Sequence, residues 1–296
     1  MSSFQNDMEA LDALATLEAQ VGEEVESEDE EDEGGLLSAD TLAALRAFAQ
    51  ENGVCFGGEG GAGSDVIDSV RKHFEVKERE DVFKIEYASK DGQREVKYEL
   101  KGIKRELSQT LNSTGLTIWR AAEHLGQFVT DHPELFQGRS ICELGAGLGL
   151  VAVLIDKLGY SNNKDTEGSL LVATDGDEDT VSLLIENKFG NGCSFDASFL
   201  YWGKYDEFLT LYPQKFEVLM AADVIYEEAQ VEPLVETVCA IMKENTGVFY
   251  LAFARRNVKI DLVFEKAAAS GLKWSIVDDT PEGIGGVEPI YCFTWA

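Results

Sequence analysis

The segment 140–150 constrains the fold more than any other part of the chain, because three kinds of local structure follow one another within it. Apolar residues lead into Glu143, glycine then occupies every second position over 145–149, and a helical apolar pattern follows. Glycine has no Cβ, so Gly145 and Gly147 can adopt a positive φ and let a ligand approach the backbone. The pattern predicts a buried strand, a tight turn and a helix whose first N–H groups face a ligand at the strand's carboxyl end.

The acid in this segment bears on the kind of ligand. The glycines approach the dinucleotide pattern G-x-G-x-x-G/A, but Leu150 stands at its sixth position. Glu143 precedes the first glycine by two residues, where a carboxylate would repel a pyrophosphate and attract a cation. S-adenosylmethionine carries a sulfonium, an ammonium and two ribose hydroxyls but no phosphate, so the acid favours this cofactor. A purely structural turn is the alternative.

A second apolar run, residues 169–174, ends in another acid one crossover later. Asp175 follows this run directly, and an acid at the tip of the second strand is where such folds bind ribose hydroxyls. The acids at 177–179 open the next helical pattern, where carboxylates are favoured by the helix dipole. We therefore expect Asp175 to contact a ribose and the other three acids to stabilise the helix.

A third apolar run, residues 216–222, leads into Asp223, and Tyr226 stands three residues later. Parallel strands place their carboxyl ends at one edge of a sheet, so this acid and this ring are expected near the glycine turn. There they would meet a substrate amine. Alone, the segment is better explained as an acidic helix cap with a packed tyrosine.

Taken together, these segments resemble the seven-β-strand (class I) S-adenosylmethionine-dependent methyltransferases. More narrowly they resemble methyltransferase family 16, whose members are mostly protein-lysine methyltransferases, and the resemblance covers about residues 80–296. The segments that carry it are Thr114-Gly-Leu-Thr-Ile-Trp119-Arg-Ala-Ala-Glu-His-Leu125, Glu143-Leu-Gly-Ala-Gly-Leu-Gly149, Thr174-Asp175 with Asn187, Tyr201-Trp202-Gly203 and Ala222-Asp223-Val-Ile-Tyr226. The D-x-x-Y and Trp-Gly elements make the resemblance specific, because the whole superfamily shares the glycine loop.

The resemblance implies a role for each of these positions. The residues expected to bind S-adenosylmethionine are Trp119, Glu143, Gly145, Ala146, Gly147, Asp175, Trp202 and Ala222. Trp119 and the loop from Glu143 to Gly147 would line its methionine side, Asp175 would hold the ribose, and Trp202 would pack near the adenine. Ala222 would contact the cofactor through its backbone. Asp223 and Tyr226 would frame the substrate nitrogen and form the catalytic pair.

The alternation of patterns along the chain predicts the fold class. Strands are expected at 140–144, 169–174, 194–200, 216–222, 247–253, 273–278 and 289–295, and helices at 117–131, 148–159, 177–188, 229–243 and 258–270. This order predicts an α/β fold: a Rossmann-like, seven-stranded, mostly parallel sheet with helices on both faces. The last two strands lack an intervening helix, so an antiparallel pair is expected to close the sheet.

The N-terminal part differs in composition. Alternating residues at 82–87 and 95–100, with Asp91-Gly92 between them, predict an accessory β-hairpin. Residues 36–73 read as two helices interrupted by a glycine-rich linker at 57–63, which lacks the lysine of a phosphate loop. The resulting domains are a disordered acidic tail over 1–35, a helical and hairpin extension over 36–110, and the methyltransferase domain over 111–296.

Charge limits the partners. The net charge is −30, and the first 45 residues contain 14 acids and no lysine or arginine. The remainder is also acidic, which disfavours nucleic acid and suits a protein substrate with a basic surface. The five cysteines are scattered and suggest reduced thiols rather than a metal site, and neither a membrane span nor a signal peptide is apparent. We expect a monomer in the cytoplasm, with the nucleus as a second compartment.

These observations predict a protein methyltransferase that acts on a lysine side chain. Two alternatives stay open at this point. The first is a methyltransferase whose acceptor is a protein histidine, a protein arginine or a small molecule. The second is a non-catalytic scaffold that binds basic proteins through its acidic surface.

Overall fold

The computed structural model describes residues 80–103, 115–160, 170–254, 258–278 and 287–296. The predicted tail, the two predicted helices of 36–73 and the predicted domain boundary at 110 lie outside these ranges. Apart from Glu80, the hairpin residues belong to the same compact unit as the rest of the described chain, and this unit extends from Asp81 to Ala296. The domain division therefore stays a prediction.

Nine strands and seven α-helices occur in the described residues. The strands are β1 (Glu80–Ala88), β2 (Glu95–Ile103), β3 (Ile141–Leu144), β4 (Leu171–Asp175), β5 (Asp196–Phe199), β6 (Val218–Ala222), β7 (Val248–Ala254), β8 (Leu272–Asp278) and β9 (Val287–Trp295). The helices are α1 (Arg120–Asp131), α2 (Pro133–Phe136), α3 (Leu150–Lys157), α4 (Glu178–Gly190), α5 (Asp206–Leu211), α6 (Val231–Ile241) and α7 (Ile260–Ala269). A 3-10 turn at Glu228–Gln230 precedes α6.

Seven strands form one sheet in the order β5-β4-β3-β6-β7-β9-β8. The pairs within β5-β4-β3-β6-β7 are parallel, whereas β9 runs antiparallel to both β7 and β8. The predicted seven-stranded, mostly parallel sheet and its antiparallel closing pair are confirmed. β9, the last strand in the sequence, lies between β7 and β8. The alternation of strands and helices did not reveal this order.

Helices cover both faces of this sheet, as predicted. Successive residues of a strand point to opposite faces of the sheet, so two neighbouring residues of β7 contact the helices on different sides. Tyr250 packs against Phe128 of α1, with ring centroids 5.4 Å apart. Leu251 belongs instead to the buried cluster that includes Leu234 of α6 and Val263 of α7. The central strands are therefore buried on both sides, which explains their nearly continuous apolar sequences.

The predicted hairpin is present, and its two strands form a sheet of their own. Its turn uses Gly92 at φ +69°, as the Asp-Gly pair predicted, and the Gly92 N–H donates to the Ser89 carbonyl at 2.8 Å. The Tyr98 hydroxyl donates to the Leu150 carbonyl at 2.7 Å, which ties β2 to the first residue of α3. The hairpin therefore supports the helix that begins at the glycine turn.

Asn187 of α4 makes another attachment of the hairpin. Its Oδ1 accepts from the Lys101 N–H at 2.7 Å, and its Nδ2 donates to the Lys101 carbonyl at 2.9 Å. The same Nδ2 also donates to the Leu148 carbonyl in the glycine turn at 3.0 Å. The side chain is buried. Asn187, which the resemblance grouped with the Thr174-Asp175 strand end, therefore joins the hairpin to the glycine turn.

No helix in the described ranges is long and apolar enough to cross a membrane. His124 of α1 is buried, with its Nε2 3.2 Å from Asp278 Oδ2.

We predict that Asn187→Leu lowers the free energy of unfolding by about 2–4 kcal/mol, because it removes the hydrogen bonds to the buried Leu148 carbonyl and to two part-buried backbone groups of Lys101. Urea denaturation of the two proteins measures this loss. Asn191→Leu is the control, because Asn191 Nδ2 bonds the Glu99 carbonyl at an exposed site and its loss should cost less than about 1 kcal/mol. Equal losses in the two variants would contradict the assigned role of Asn187.

Candidate active site

A cavity of about 620 Å³ lies at the carboxyl ends of β3, β4 and β6. Its volume is that of a typical small-molecule site. Nine of the ten predicted site residues line it: Trp119, Glu143, Gly145, Ala146, Gly147, Asp175, Trp202, Ala222 and Tyr226. Asp223 is not among the lining residues. The strand ends thus converge as parallel pairing requires, while the role of each residue stays a prediction.

The glycine turn forms one wall of the cavity. Gly145 and Gly147 have φ of +69° and +55°, the left-handed region expected from the sequence. A Cβ on Gly145 would lie 2.7 Å from Val224 Cγ1, and one on Gly147 would lie 3.1 Å from the Gly115 carbonyl oxygen. Glycine is thus required here both for backbone conformation and for close packing. Gly115 is a lining residue that the sequence reasoning did not single out, although it lies within the first matching segment.

Asp175 holds this turn in place. Its Oδ2 accepts from the Gly147 N–H at 3.0 Å, and its Oδ1 accepts from the Asp177 N–H at 3.2 Å. Burial raises the pKa of the Asp175 carboxyl to about 6, although these backbone donors favour its ionised form. Asp177 caps α4, as predicted, by accepting from the Thr180 N–H at 2.8 Å. Asp175 therefore lines the cavity with both oxygens of its carboxylate engaged by the protein backbone.

Glu143 is the most unusual group in the lining. Its side chain is buried, and its Oε2 has no hydrogen-bond partner in the described part of the chain. Burial, and secondarily the charge of Asp175, raises the pKa of the Glu143 carboxyl to about 8. The Ala152 backbone N–H bonds this carboxyl but leaves Oε2 unpaired. An ionised carboxylate with an unpaired oxygen is costly to bury, so this site is complementary to a ligand that brings a positive charge.

The charge of the whole lining points the same way. Four carboxyl groups line the cavity, those of Glu143, Asp175, Asp177 and Glu227, and no lysine, arginine or histidine is among its described lining residues. In the ranges that the structure describes, no group of three or more His, Cys, Asp or Glu residues is placed to hold a metal ion. The cavity therefore favours an organic cation and disfavours a phosphate.

Aromatic side chains are a second component of the lining. Trp119 immediately precedes α1, while Tyr201 and Trp202 follow β5, and all three line the cavity. The backbone after Trp202 is fixed by α6, because the Gly203 N–H donates to the Thr237 hydroxyl at 2.9 Å. Such flat apolar surfaces suit the ring of a nucleoside.

The segment after β6 carries the predicted catalytic pair. Asp223 has a φ of +57° and is buried, and its N–H donates to the Ala252 carbonyl at 3.0 Å. Tyr226 is half-buried in the cavity wall, and its N–H donates to Gln230 Oε1 at 2.7 Å. The structure therefore brings Tyr226 to the cavity, whereas Asp223 lies between two lining residues.

Gln230 is a second lining residue that the sequence reasoning missed. The signal was available in its spacing, because glutamine three residues after a capping residue is the pattern of a capping box. Here the Glu227 side chain accepts from the Gln230 backbone, while the Gln230 side chain accepts from the Glu227 N–H. The box is unusual in that an acid rather than serine or threonine occupies the first position.

Comparison with known families gives a match at this site. Residues 103–270, more than half of the chain, match a family model described as lysine methyltransferase. The matched range contains the glycine turn, the three strand ends and the segment from Asp223 to Tyr226.

Curated relatives have names of the same kind. The protein-lysine N-methyltransferase EFM3 of Chaetomium thermophilum is 31% identical over 163 residues, which are 52% of this chain and 46% of that protein. The calmodulin-lysine N-methyltransferase of Arabidopsis thaliana is 25% identical over 177 residues, 57% of this chain and 55% of that protein. The chain thus spans about half the length of the curated relatives it matches.

Among solved structures, a methyltransferase from Pyrococcus furiosus aligns over 64% of this chain and 93% of its own length. The alignment has a TM-score of 0.43 and 14% sequence identity. This likeness adds nothing to the fold class, which rests on the strand order and directions described above.

The raised pKa of Glu143 has a measurable consequence for stability. A carboxyl whose pKa is higher in the folded than in the unfolded protein stabilises the fold at low pH, and this contribution is lost as the pH rises to the folded value. From about pH 5 to pH 8, we therefore expect the ligand-free parent to lose stability relative to Glu143→Gln, on the order of a few kcal/mol. Urea denaturation across this range measures the difference, and a difference independent of pH would contradict the assignment.

Proposed function

The chain belongs to this lysine methyltransferase family, and we propose that it transfers a methyl group from S-adenosylmethionine to a lysine side chain of a protein substrate. The observation that carries the proposal is a small-molecule cavity lined by four carboxyl groups and, among the residues that the structure describes, by no basic side chain. Cofactor and acceptor both bring positive charge to the site, so this lining is complementary to both.

The residues present fit the cofactor. The unpartnered Oε2 of Glu143 offers an acceptor to a cationic group, and the glycine turn leaves its backbone accessible. Asp175 would bind the ribose hydroxyls, Trp119 would line the methionine end, and Trp202 and Ala222 would contact the remainder. When bound, S-adenosylmethionine supplies an electrophilic methyl group on a positively charged sulfur.

The acceptor needs different help. A lysine amine has a pKa of about 10.4, so it must lose a proton before its lone pair can act as a nucleophile. In the proposal, Asp223 and Tyr226 orient this amine and accept or relay its proton. Holding the amine at contact distance can account for several kcal/mol of the barrier, so positioning is the main contribution of these residues.

The surrounding charge selects the partner class in this proposal. A chain with a net charge of −30 attracts basic proteins and repels nucleic acid. We therefore assign the substrate lysine to a basic protein surface and place the reaction in the cytoplasm, or the nucleus, with the chain acting as a monomer.

The first test is transfer of labelled methyl from S-adenosylmethionine to proteins in a cell lysate, with Asp223→Asn as the comparison. Asn tolerates the left-handed backbone of residue 223 better than Ala does, so this change removes the charge with little strain. We expect a discrete labelled protein with the parent and a loss of at least about tenfold in the variant. Cofactor binding, measured by calorimetry, should be unchanged.

The outcomes separate the alternatives. Mass spectrometry of the labelled protein identifies the acceptor, and a methylated histidine or arginine would contradict the lysine assignment. Cofactor binding without a labelled protein would favour a small-molecule acceptor, and no cofactor binding would favour the scaffold. Equal activity of parent and variant would remove Asp223 from the mechanism.

A second prediction concerns cofactor affinity. The Glu143 carboxyl has a pKa of about 8 in the ligand-free cavity and must lose its proton to pair with a cation. We expect the affinity of the parent for S-adenosylmethionine to rise with pH up to about 8, whereas that of Glu143→Gln should not show this rise. Calorimetry at several pH values measures it. Titration of the cofactor itself affects both proteins equally, so parallel pH profiles would contradict the prediction.

A further inference from the structure

One side chain bonds two consecutive N–H groups of the segment that contains Tyr226. Gln230 Oε1 accepts from the Tyr226 N–H at 2.7 Å and from the Glu227 N–H at 3.1 Å. From this geometry we propose that Gln230 is a positioning residue: it acts through the backbone of Tyr226 to fix the tyrosine against the acceptor amine. The inference rests on the proposed function and assigns a residue that the D-x-x-Y element does not include.

The backbone at this point needs such support. β6 ends at Ala222 and the 3-10 turn begins at Glu228, so the residues between them belong to neither a helix nor a strand. The Asp223 N–H still bonds a neighbouring strand, through the Ala252 carbonyl, whereas the Tyr226 N–H bonds the Gln230 side chain. The backbone of the tyrosine is therefore held by a side chain four residues later.

Glu227 and Gln230 bond each other reciprocally, each through its side chain to the backbone of the other. The Glu227 side chain accepts from the Gln230 backbone while Gln230 accepts from the Glu227 N–H. Gln230 is half-buried and lines the cavity, so water competes less well for these donors than at an open surface. The turn is thereby fixed from both ends, with the tyrosine immediately before it.

A role confined to folding would predict a different result. The helix that follows is anchored independently by four buried residues of α6: Leu234, Val235, Val238 and Ile241. Loss of the Gln230 side chain should therefore leave α6 and the sheet intact. Its consequences should concentrate on the Tyr226 segment and on the transfer step.

The experiment compares Gln230→Leu with Gln230→Glu. Leucine removes the acceptor, whereas glutamate keeps an acceptor oxygen at the same distance from the backbone. With a labelled protein substrate, we expect kcat to fall about tenfold in Gln230→Leu and to recover most of this loss in Gln230→Glu. The dissociation constant of S-adenosylmethionine should stay unchanged in both variants.

Gln127→Leu is the matched control. It makes the same substitution at α1, where Gln127 Nε2 donates to the Ala88 carbonyl at 3.0 Å, and Gln127 does not line the cavity. We expect a small loss of stability with no change in kcat. Hydrogen exchange of the peptide containing Tyr226 and Glu227 adds a readout that does not need activity: exchange should accelerate in Gln230→Leu but not in Gln230→Glu or Gln127→Leu.

Each outcome decides the matter. If the parent is active and Gln230→Leu has the same kcat, the role of Gln230 is overturned while the proposed function stands. A weakened affinity of the variants for S-adenosylmethionine, or a failure of Gln230→Glu to restore the rate, would also overturn that role. Unchanged exchange at Tyr226 would overturn it as well. An inactive parent that binds cofactor would overturn the proposed function and this role together, so the two failures are distinguishable.

Discussion

The close approach of the glycine turn to the segment before α1 determines the shape of the site. Gly147 can lie beside the Gly115 carbonyl because it has no Cβ, and its N–H donates to Asp175 Oδ2 at 3.0 Å. One residue thus connects the turn after β3, the end of β4 and the entry to α1. These three elements line one part of the cavity, to which Trp119 also contributes, and the segments after β5 and β6 line the rest.

Parallel pairing gives this space its electrostatic character. Because β3, β4 and β6 run in the same direction, the acids at or after their ends collect at one edge of the sheet. Burial of Glu143 at this edge, with one carboxyl oxygen unpartnered among the described residues, raises the pKa of its carboxyl. The cost is offset by apolar burial on both faces of the sheet, so a stable fold can keep a site that becomes electrostatically complete when a cation binds.

Two supports outside the sheet hold the walls of the cavity. On one side, the hairpin reaches the glycine turn through Tyr98 and Asn187. On the other, α6 holds the Trp202 segment through Thr237 and the Tyr226 segment through the turn that precedes the helix. Each support uses a side chain to bond backbone groups of an irregular segment, which explains how loops can present a defined wall.

The sequence by itself determined the strand, turn and helix around Glu143, the acids at the strand ends and the mostly parallel fold class. These follow from apolar periodicity and from the conformational freedom of glycine, which are local properties. The tertiary structure alone decided that β9 enters between β7 and β8, that Gly115 meets Gly147, and that Asp223 lies beside rather than in the cavity lining. The tertiary structure also decided that the hydrogen bond from the Tyr226 N–H to Gln230 lies in the cavity wall, although the two residues are only four apart in the sequence. These features depend on contacts between residues distant in the chain, and no local pattern encodes which distant partners meet.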